Sequence, residues 1–324
     1  TMKIDALGKT GLKVSNICFG AGNFGDTISE DLAFELMDAY AAAGGNFLDT
    51  ANIYGKWLPA GENVSEQIVG RWLKSRGMKQ RMVVATKGGH YDLNQKNICR
   101  VTREEIKKDL DESRLALGLD CIDLYWLHRD NEAVPAGELL EWMEELVKRG
   151  DIRYYGASNF RLERMQEADA YAKEHGLQGF CAVSNRWSLA KENPETAAGK
   201  DPTMAEMDEA FFDWHCKSGT PSIPYSSTAH GFFAKYEKNQ LSDRLNAKYR
   251  NPENLETARI LKEISAESGL SLFELSLSWL LSQPFQVIPV TTASSASQIQ
   301  AYRKAGDFVI PEAWMEQLRE IRKA

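Results

Sequence analysis

The stretch FLDTANIYG, residues 47–55, leads from a short apolar run through an acid into a polar loop. This pattern predicts a strand that begins near residue 45 and ends at Asp49, followed by a loop that carries Tyr54. An acid at the end of an apolar strand, with a phenol one loop further on, makes this stretch a candidate for chemistry.

Two further runs end in a polar residue in the same way. The run RMVVATKGG, residues 81–89, reaches Lys87, and the run CIDLYWLH, residues 121–128, closes with His128. Like Asp49, each terminal residue has the phase of an apolar residue two positions earlier, so all three are predicted to point inward at the ends of their strands. An acid, a base and a histidine at successive strand ends, with a phenol beside them, predict a catalytic site.

Strand-like and helix-like segments alternate along most of the chain. Predicted strands cover residues 17–21, 45–49, 81–87, 121–128, 152–158, 181–185, 222–225 and 285–290. Predicted helices cover residues 29–43, 138–148, 161–175, 204–217, 255–268 and 272–282, and two more begin near residues 65 and 102. Eight such β/α units predict an α/β protein, a single (β/α)8 TIM barrel domain over residues 1–324. We expect an N-terminal β-hairpin over residues 3–14 and an extra C-terminal helix over residues 314–322.

An open doubly wound sheet is the alternative fold, and it would place a glycine-rich phosphate loop after its first strand. Residues 20–25, GAGNFG, have the glycines of such a loop but lack the helix start and the later acid that would confirm it. We therefore prefer the barrel.

The composition argues against several classes of partner. A formal net charge of -7 and a pI near 5.5 disfavour nucleic acid and anionic membrane surfaces, since both attract basic proteins. No apolar run approaches the roughly 18 to 20 residues of a membrane span, and no signal-peptide core follows the first residues, so we expect a cytoplasmic enzyme. The 5 cysteines are scattered without paired spacing, so neither a disulfide frame nor a metal site is expected.

Four motifs together resemble the signature of the aldo-keto reductases. They are DTANIYG at residues 49–55, ATK at 85–87, IDLYWLH at 122–128 and GASNF at 156–160. The motifs stand in the family's order on four predicted strand ends, and the resemblance covers nearly the whole chain. It implies NAD(P)H-dependent reduction of aldehydes, ketones or sugar carbonyls, or the reverse oxidation, with a small-molecule substrate as the partner.

The resemblance also implies a role for each strand-end residue. Tyr54 would be the general acid/base, and Lys87 would be the cation that stabilises its phenolate. Asp49 would hold Lys87 charged and aimed, and His128 would donate a hydrogen bond to the carbonyl oxygen.

A cofactor site is implied in the same way. Ser158 and Asn159 match the positions that bind the nicotinamide carboxamide, and Tyr225, followed by Ser226, matches the aromatic residue that stacks on the ring. Ser184 stands where the family often has a glutamine. The remaining candidates, Ser294, Ser295 and Gln298, stand where the family commonly has a basic residue for the 2′-phosphate and an adenine contact. NADP(H) is the family default, and because the basic clamp is missing, NAD(H) is also possible.

Two loops depart from the family pattern. Residues 56–63 are longer than the usual turn, and residues 231–254 are predicted to form a long polar loop; loops of this kind shape pockets. Candidate apolar pocket walls are Trp57, Trp187 and Phe232.

Other interpretations of the same residues stay open at this point. Asp49 and Lys87 could form a structural ion pair, with Tyr54 and His128 as ordinary hydrogen-bonded residues. The chain could also be a nicotinamide-binding sensor or partner subunit with little turnover. A metal-dependent hydrolase that uses His128 with Asp123 or Asp130 is disfavoured, because Asp123 has the outward phase and the HxH spacing is absent.

Overall fold

A parallel sheet of seven strands curls around an apolar interior in the computed structural model, which describes residues 1–197 and 200–324. Two short strands, β1 (Ile4–Ala6) and β2 (Lys13–Ser15), form a separate pair before it. The strands of the parallel sheet are β3 (Cys18–Gly20), β4 (Phe47–Asp49), β5 (Val83–Gly88), β6 (Ile122–Leu127), β7 (Ile152–Ser158), β8 (Val183–Ser184) and β9 (Val290–Thr291). Strands β3 to β7 pair in sequence order, β8 follows β7 at one edge, and β9 lies beside β3 at the other.

Residues 221–224 fill the gap between β8 and the segment that leads into β9. The Ile223 amide donates to the Val183 carbonyl over 2.8 Å, and the Ile288 amide donates to the Ser222 carbonyl over 2.9 Å. These bonds close the sheet into a barrel, so the predicted strands at 222–225 and 285–290 occupy their expected places as short bridged segments. The prediction of a (β/α)8 barrel is confirmed.

The N-terminal hairpin is also present, with β1 and β2 paired antiparallel. Its neighbours Leu7 and Leu12 are buried in one cluster with the inward residues of the barrel, among them Phe47, Ala85 and Trp126. Because alternate residues of a strand share a face, this cluster confirms the inward phase on which the strand-end prediction depends.

The helices surround the sheet. They are α1 (Glu30–Ala42), α2 (Val64–Ser75), α3 (Arg103–Leu117), α4 (Ala136–Lys148), α5 (Leu162–His175), α6 (Pro194–Ala197), α7 (Glu209–Ser218), α8 (Phe232–Glu237), α9 (Asp243–Tyr249), α10 (Pro252–Ser268), α11 (Leu272–Leu281), α12 (Ala296–Asp307) and α13 (Glu312–Arg322). The last of these is the extra C-terminal helix. In the described ranges, we find no helix with the length and apolar character needed to cross a membrane.

The prediction of a long polar loop over residues 231–254 was wrong. The segment contains α8, α9 and the start of α10, and Phe232, Leu245 and Tyr249 are buried. Leu245 and Tyr249 are four residues apart and so share one face of a short amphipathic helix. The many polar residues around these few apolar ones hide that periodicity in the sequence.

Candidate active site

Three strand ends bring the predicted catalytic residues together. Asp49 is the last residue of β4, Lys87 lies next to the end of β5, and His128 directly follows β6. The parallel register pairs Asp49 with Ala85 and Lys87 with Trp126, so these ends lie at one rim of the barrel. We call Asp49, Tyr54, Lys87 and His128 the strand-end cluster.

The Lys87 ammonium is the hub of the strand-end cluster. Its Nζ donates to Asp49 Oδ2 over 2.6 Å, to the Thr50 carbonyl over 3.0 Å and to the Tyr54 hydroxyl oxygen over 3.2 Å. The side chains of Lys87 and Asp49 are only 4% and 6% exposed. Burial alone disfavours the lysine charge, but Asp49 and Tyr54 outweigh that effect, and the pKa of Lys87 is raised.

Tyr54 is positioned by the turn that links β4 to α2. Its amide donates to the Ala51 carbonyl over 3.1 Å, and its carbonyl accepts from the Ser65 amide over 3.3 Å at the start of the helix. Gly55 follows with a φ of 99°, a conformation that favours glycine and turns the chain back towards α2. Because the Tyr54 oxygen accepts from Lys87, its own O–H remains free to donate.

His128 is a neutral imidazole at the same rim. Burial holds its pKa well below the usual range, and the nearby charge of Arg129, the neighbouring His90 and the charge of Lys87 lower it further. Its ring lies edge-on to Tyr54 with centroids 5.9 Å apart. Within the described ranges, its buried Nδ1 has no hydrogen-bond partner. A neutral imidazole carries one N–H, which suits it to donate a hydrogen bond to a substrate oxygen.

The strand-end cluster opens into a cavity of about 490 Å³. The aromatic and apolar side chains of its lining include Tyr54, Trp57, Tyr91, Leu93 and Met204. Hydroxyl-bearing residues also line it, namely Ser158, Ser226, Ser227, Thr228, Thr291 and Thr292. Tyr225 and Asn159 also line the cavity, so the predicted cofactor residues Ser158, Asn159, Tyr225 and Ser226 line the same cavity as the strand-end cluster.

The amide of Asn159 is fully engaged within the protein. Its Oδ1 accepts from the Tyr225 hydroxyl and from the Ala205 amide at 3.1 Å. Its Nδ2 donates to the His128 carbonyl over 3.2 Å and to Ser158 Oγ over 3.3 Å. Asn159 therefore fixes the hydroxyl end of Tyr225, and a contact from its amide to a ligand requires one of these bonds to break.

Four other predicted cofactor residues do not line the cavity. Ser184 is buried in β8, where its carbonyl accepts from Ser158 Oγ over 2.8 Å. Ser294, Ser295 and Gln298 lie beyond Thr292, where Ser295 is the residue before α12 and Gln298 Oε1 accepts from the Ser294 amide over 2.8 Å. They surround the N-terminus of α12 instead, where free amides favour negative charge.

A loop that the sequence did not single out lies beside Tyr225. Ser226, Ala229, His230 and Gly231 all have positive φ values, between 50° and 73°. We call residues 226–231 the left-handed loop. Each left-handed residue other than glycine costs about 1 to 2 kcal/mol, so this conformation is held by its surroundings. Since serine and alanine carry no signal for such a backbone and histidine carries only a weak one, sequence reasoning did not find it.

Cations from two short helices lie near His230 of the left-handed loop. The pKa of His230 is lowered, first by burial and then by the charges of Lys248, Arg244 and Arg186. Lys235 Nζ donates to the His230 carbonyl over 3.1 Å. Lys235 comes from α8, and Arg244 and Lys248 come from α9, so the segment predicted to be a loop places positive charge near His230, which lines the cavity.

Arg129, which the sequence analysis also missed, joins His128 to the segment that contains Asp201 and Thr203. Its Nη1 donates to the His128 carbonyl over 2.9 Å, its Nε donates to Thr203 Oγ1 over 2.9 Å, and its Nη2 lies 3.5 Å from Asp201. These bonds hold the segment that carries Met204 against the cavity.

The acids considered for a metal-dependent hydrolase are engaged elsewhere. Asp123 Oδ2 accepts from the Val84 amide over 2.9 Å, and Asp130 forms a salt bridge of 2.8 Å with Arg164. In the described ranges, no three His, Cys, Asp or Glu side chains are arranged to hold a metal ion.

Of the three proposed pocket walls, only Trp57 lines the cavity. Trp187 is buried against Trp279 and Phe285, and Phe232 is fully buried on α8. The latter two predictions were wrong because a large aromatic residue has the same pattern in a core as beside a pocket.

The comparisons with known proteins agree with this architecture. The model of the Aldo/keto reductase family matches residues 16–323, and the chain belongs to that family. Norsolorinic acid reductase B of Dothistroma septosporum is 28% identical over 95% of this chain and 78% of its own length. The uncharacterized oxidoreductase YrpG of Bacillus subtilis is 27% identical over 99% of this chain and 96% of its own length.

A solved structure, the holo form of the aldo-keto reductase AKR11C1 from Bacillus halodurans, is 25% identical with a TM-score of 0.74. The match covers 100% of this chain and 97% of the chain in that structure. Family membership and the relatives named as reductases support an oxidoreductase that reduces carbonyl groups in general.

Proposed function

We propose that this chain is an NAD(P)H-dependent reductase of small aldehydes, ketones or sugar carbonyls in which Tyr54 is the general acid. The observation that carries the proposal is the position of the Lys87 ammonium, 2.6 Å from Asp49 and 3.2 Å from the Tyr54 hydroxyl. This arrangement lies at the wall of a cavity whose hydroxyl-bearing residues and Tyr225 suit a dinucleotide. The reverse oxidation would use Tyr54 as a base.

The strand-end cluster supplies the proton. As negative charge develops on the carbonyl oxygen, the Tyr54 hydroxyl donates its proton to that oxygen. The Lys87 ammonium stabilises the phenolate that remains, and Asp49 keeps the ammonium charged and in place. His128, as a neutral donor, hydrogen-bonds the same carbonyl oxygen and orients it. A nicotinamide dinucleotide, when bound, supplies the hydride for the carbonyl carbon.

The residues around the cavity fit a dinucleotide. The half-buried ring of Tyr225 lines the cavity and is held by Asn159, so it would stack on a flat ring with little loss of freedom. The hydroxyls of Ser158, Ser226 and Thr228 would face the polar groups of the cofactor. Asn159 would reach the carboxamide only after releasing one of its present partners.

The phosphate groups of the dinucleotide would lie beyond these hydroxyl-bearing residues. Thr292 borders the cavity, and the N-terminus of α12, with Ser294, Ser295 and Gln298, lies beyond it. The cations of α8 and α9 around His230 provide charge that the last strand lacks. We therefore propose NADP(H) as the cofactor, with NAD(H) as a usable substitute. Ser184 would act indirectly, because its backbone carbonyl holds the Ser158 hydroxyl.

The test is cofactor titration followed by turnover. Calorimetry with each of the four nicotinamide dinucleotides should give saturable binding, and nitrobenzaldehyde should then accelerate NADPH oxidation as followed by absorbance. The absence of both binding and oxidation would contradict the proposal. Tight binding without aldehyde-dependent oxidation would favour the sensor or partner-subunit alternative instead.

A further inference from the structure

Trp57 lies at the mouth of the cavity with an unusual degree of exposure. The residue is 44% exposed, although its ring lines the cavity beside the strand-end cluster. Exposed large hydrophobic residues elsewhere in the described ranges, Ile4, Ile98, Leu115 and Val309, do not line this cavity. A large apolar side chain that is left open at a cavity mouth is available to a ligand.

The indole of Trp57 is held in place. Its Nε1 donates to Asp26 Oδ2 over 2.9 Å, a hydrogen bond strengthened by the carboxylate charge. Asp26 belongs to the loop after β3, whereas Trp57 belongs to the loop after β4, so the bond joins two neighbouring rim loops. A ring that is already fixed loses little conformational entropy when a ligand covers it.

The surroundings of Trp57 define what could lie against it. The ring centroids of Tyr54 and Trp57 are 6.3 Å apart with planes inclined at 61°, and Tyr91, Leu93 and Met204 line the same cavity. A flat ring placed here would meet an aromatic corner, since tilted and stacked arrangements are both favourable for aromatic groups.

Charge among the residues that line the cavity is balanced. The charged residues among its lining are Asp49, Lys87 and Arg129. The first two pair with each other at 2.6 Å, and Arg129 lies 3.5 Å from Asp201. No lining cation is therefore left for a substrate carboxylate or phosphate within the described ranges, which favours a neutral substrate.

We propose that Trp57, held by Asp26, is a specificity-determining residue that stacks on the flat ring of a neutral aryl aldehyde whose carbonyl lies at Tyr54. This inference rests on the proposed reductase function. It deepens that function by naming Trp57 as the residue that binds the ring of the substrate and Asp26 as the residue that orients the indole of Trp57.

The experiment compares benzaldehyde with butanal in the parent protein and in Trp57→Ala, Trp57→Phe and Asp26→Ala. The measured quantity is the ratio of the two kcat/KM values. Stacking supplies enough free energy for the ratio to fall about tenfold in Trp57→Ala, mainly through the KM for benzaldehyde. Trp57→Phe should keep most of the ratio because a ring remains, and Asp26→Ala should lower it about threefold because the indole is released.

Leu115→Ala is the matched control, since it removes an exposed apolar side chain that does not line the cavity, and it should not change the ratio. An equal loss for both aldehydes in Trp57→Ala, or no loss for either, would overturn the inference while leaving the reductase function intact. If the folded parent protein reduces neither aldehyde with any nicotinamide dinucleotide, the proposed function itself fails.

Discussion

The strand-end cluster and the left-handed loop both line one cavity but are built in different ways. Asp49, Lys87 and His128 stand at the ends of regular strands, where pairing with neighbours sets their positions. The left-handed loop has no such frame, and its shape depends on unusual backbone angles at residues such as Ala229 and His230.

The difference shows where precision is needed. Proton transfer requires atoms placed within hydrogen-bond distance, and strand ends of a barrel provide rigid positions. A cofactor is held by many weaker contacts, so loops that vary in length and sequence can serve. We therefore expect substitutions in the strand-end cluster to have large effects on turnover, and substitutions on the cofactor side to have smaller effects on binding.

Lys87→Met tests the strand-end cluster, where we expect the larger effects. It removes the charge beside Tyr54 and leaves the buried Asp49 carboxylate without its partner. We expect kcat for carbonyl reduction to fall by about 10³-fold and the free energy of unfolding to fall by about 3 kcal/mol. Steady-state kinetics and urea unfolding measure the two effects separately. Turnover within tenfold of the parent would show that the ion pair is structural.

Glu66→Gln tests a second buried carboxyl group near the strand ends, which differs from Asp49 in having no cationic partner among the described residues. Glu66 accepts from Thr86 Oγ1 over 2.6 Å and from Asn63 Nδ2 over 3.0 Å, and no salt bridge to it is present in the described ranges. Burial raises the pKa of the Glu66 carboxyl to about 7, from 4.5, against these opposing hydrogen bonds.

The sign of the pH effect follows from that shift. Between pH 4.5 and about pH 7 the folded state holds a proton that the unfolded chain has lost, so the parent becomes less stable as the pH rises. Glu66→Gln removes this dependence and should be more stable than the parent at pH 8 by about 1 to 3 kcal/mol, with little difference near pH 4.5. Urea unfolding at both pH values measures it, with the exposed Glu138→Gln as control. The same difference at both pH values would refute the assignment.

The preference for NADPH over NADH tests the cofactor side, where we expect the smaller effects. Because Ser294 and Ser295 provide no cation, we expect the preference for NADPH over NADH to stay below about a hundredfold. Ser294→Arg should raise that preference about tenfold by adding a bidentate partner for the 2′-phosphate, and Ser294→Gln, a long uncharged side chain, should not. Matched KM measurements decide it. A preference of several hundredfold in the parent would mean that cations of α8 and α9 already clamp the phosphate.

Sequence alone predicted the barrel and the strand-end cluster because both depend on periodicity. The phase that puts Phe47 in the core also puts Asp49 at the rim. The same reasoning could not find Arg129 or the left-handed loop, since contacts such as Arg129 to Thr203 join residues far apart in the chain. It also mistook Trp187 for a pocket wall, because composition does not distinguish a core from a cavity.

The central claim is that Tyr54 supplies the proton, and Tyr54→Phe tests it most directly. The substitution keeps the ring beside Trp57 and His128 and removes only the hydroxyl that accepts from Lys87. With nitrobenzaldehyde and NADPH, we predict that kcat falls by at least about 10²-fold while the Kd for the dinucleotide stays within about twofold. A variant that reduces the aldehyde as fast as the parent would contradict the account and leave His128 as the next candidate for the acid.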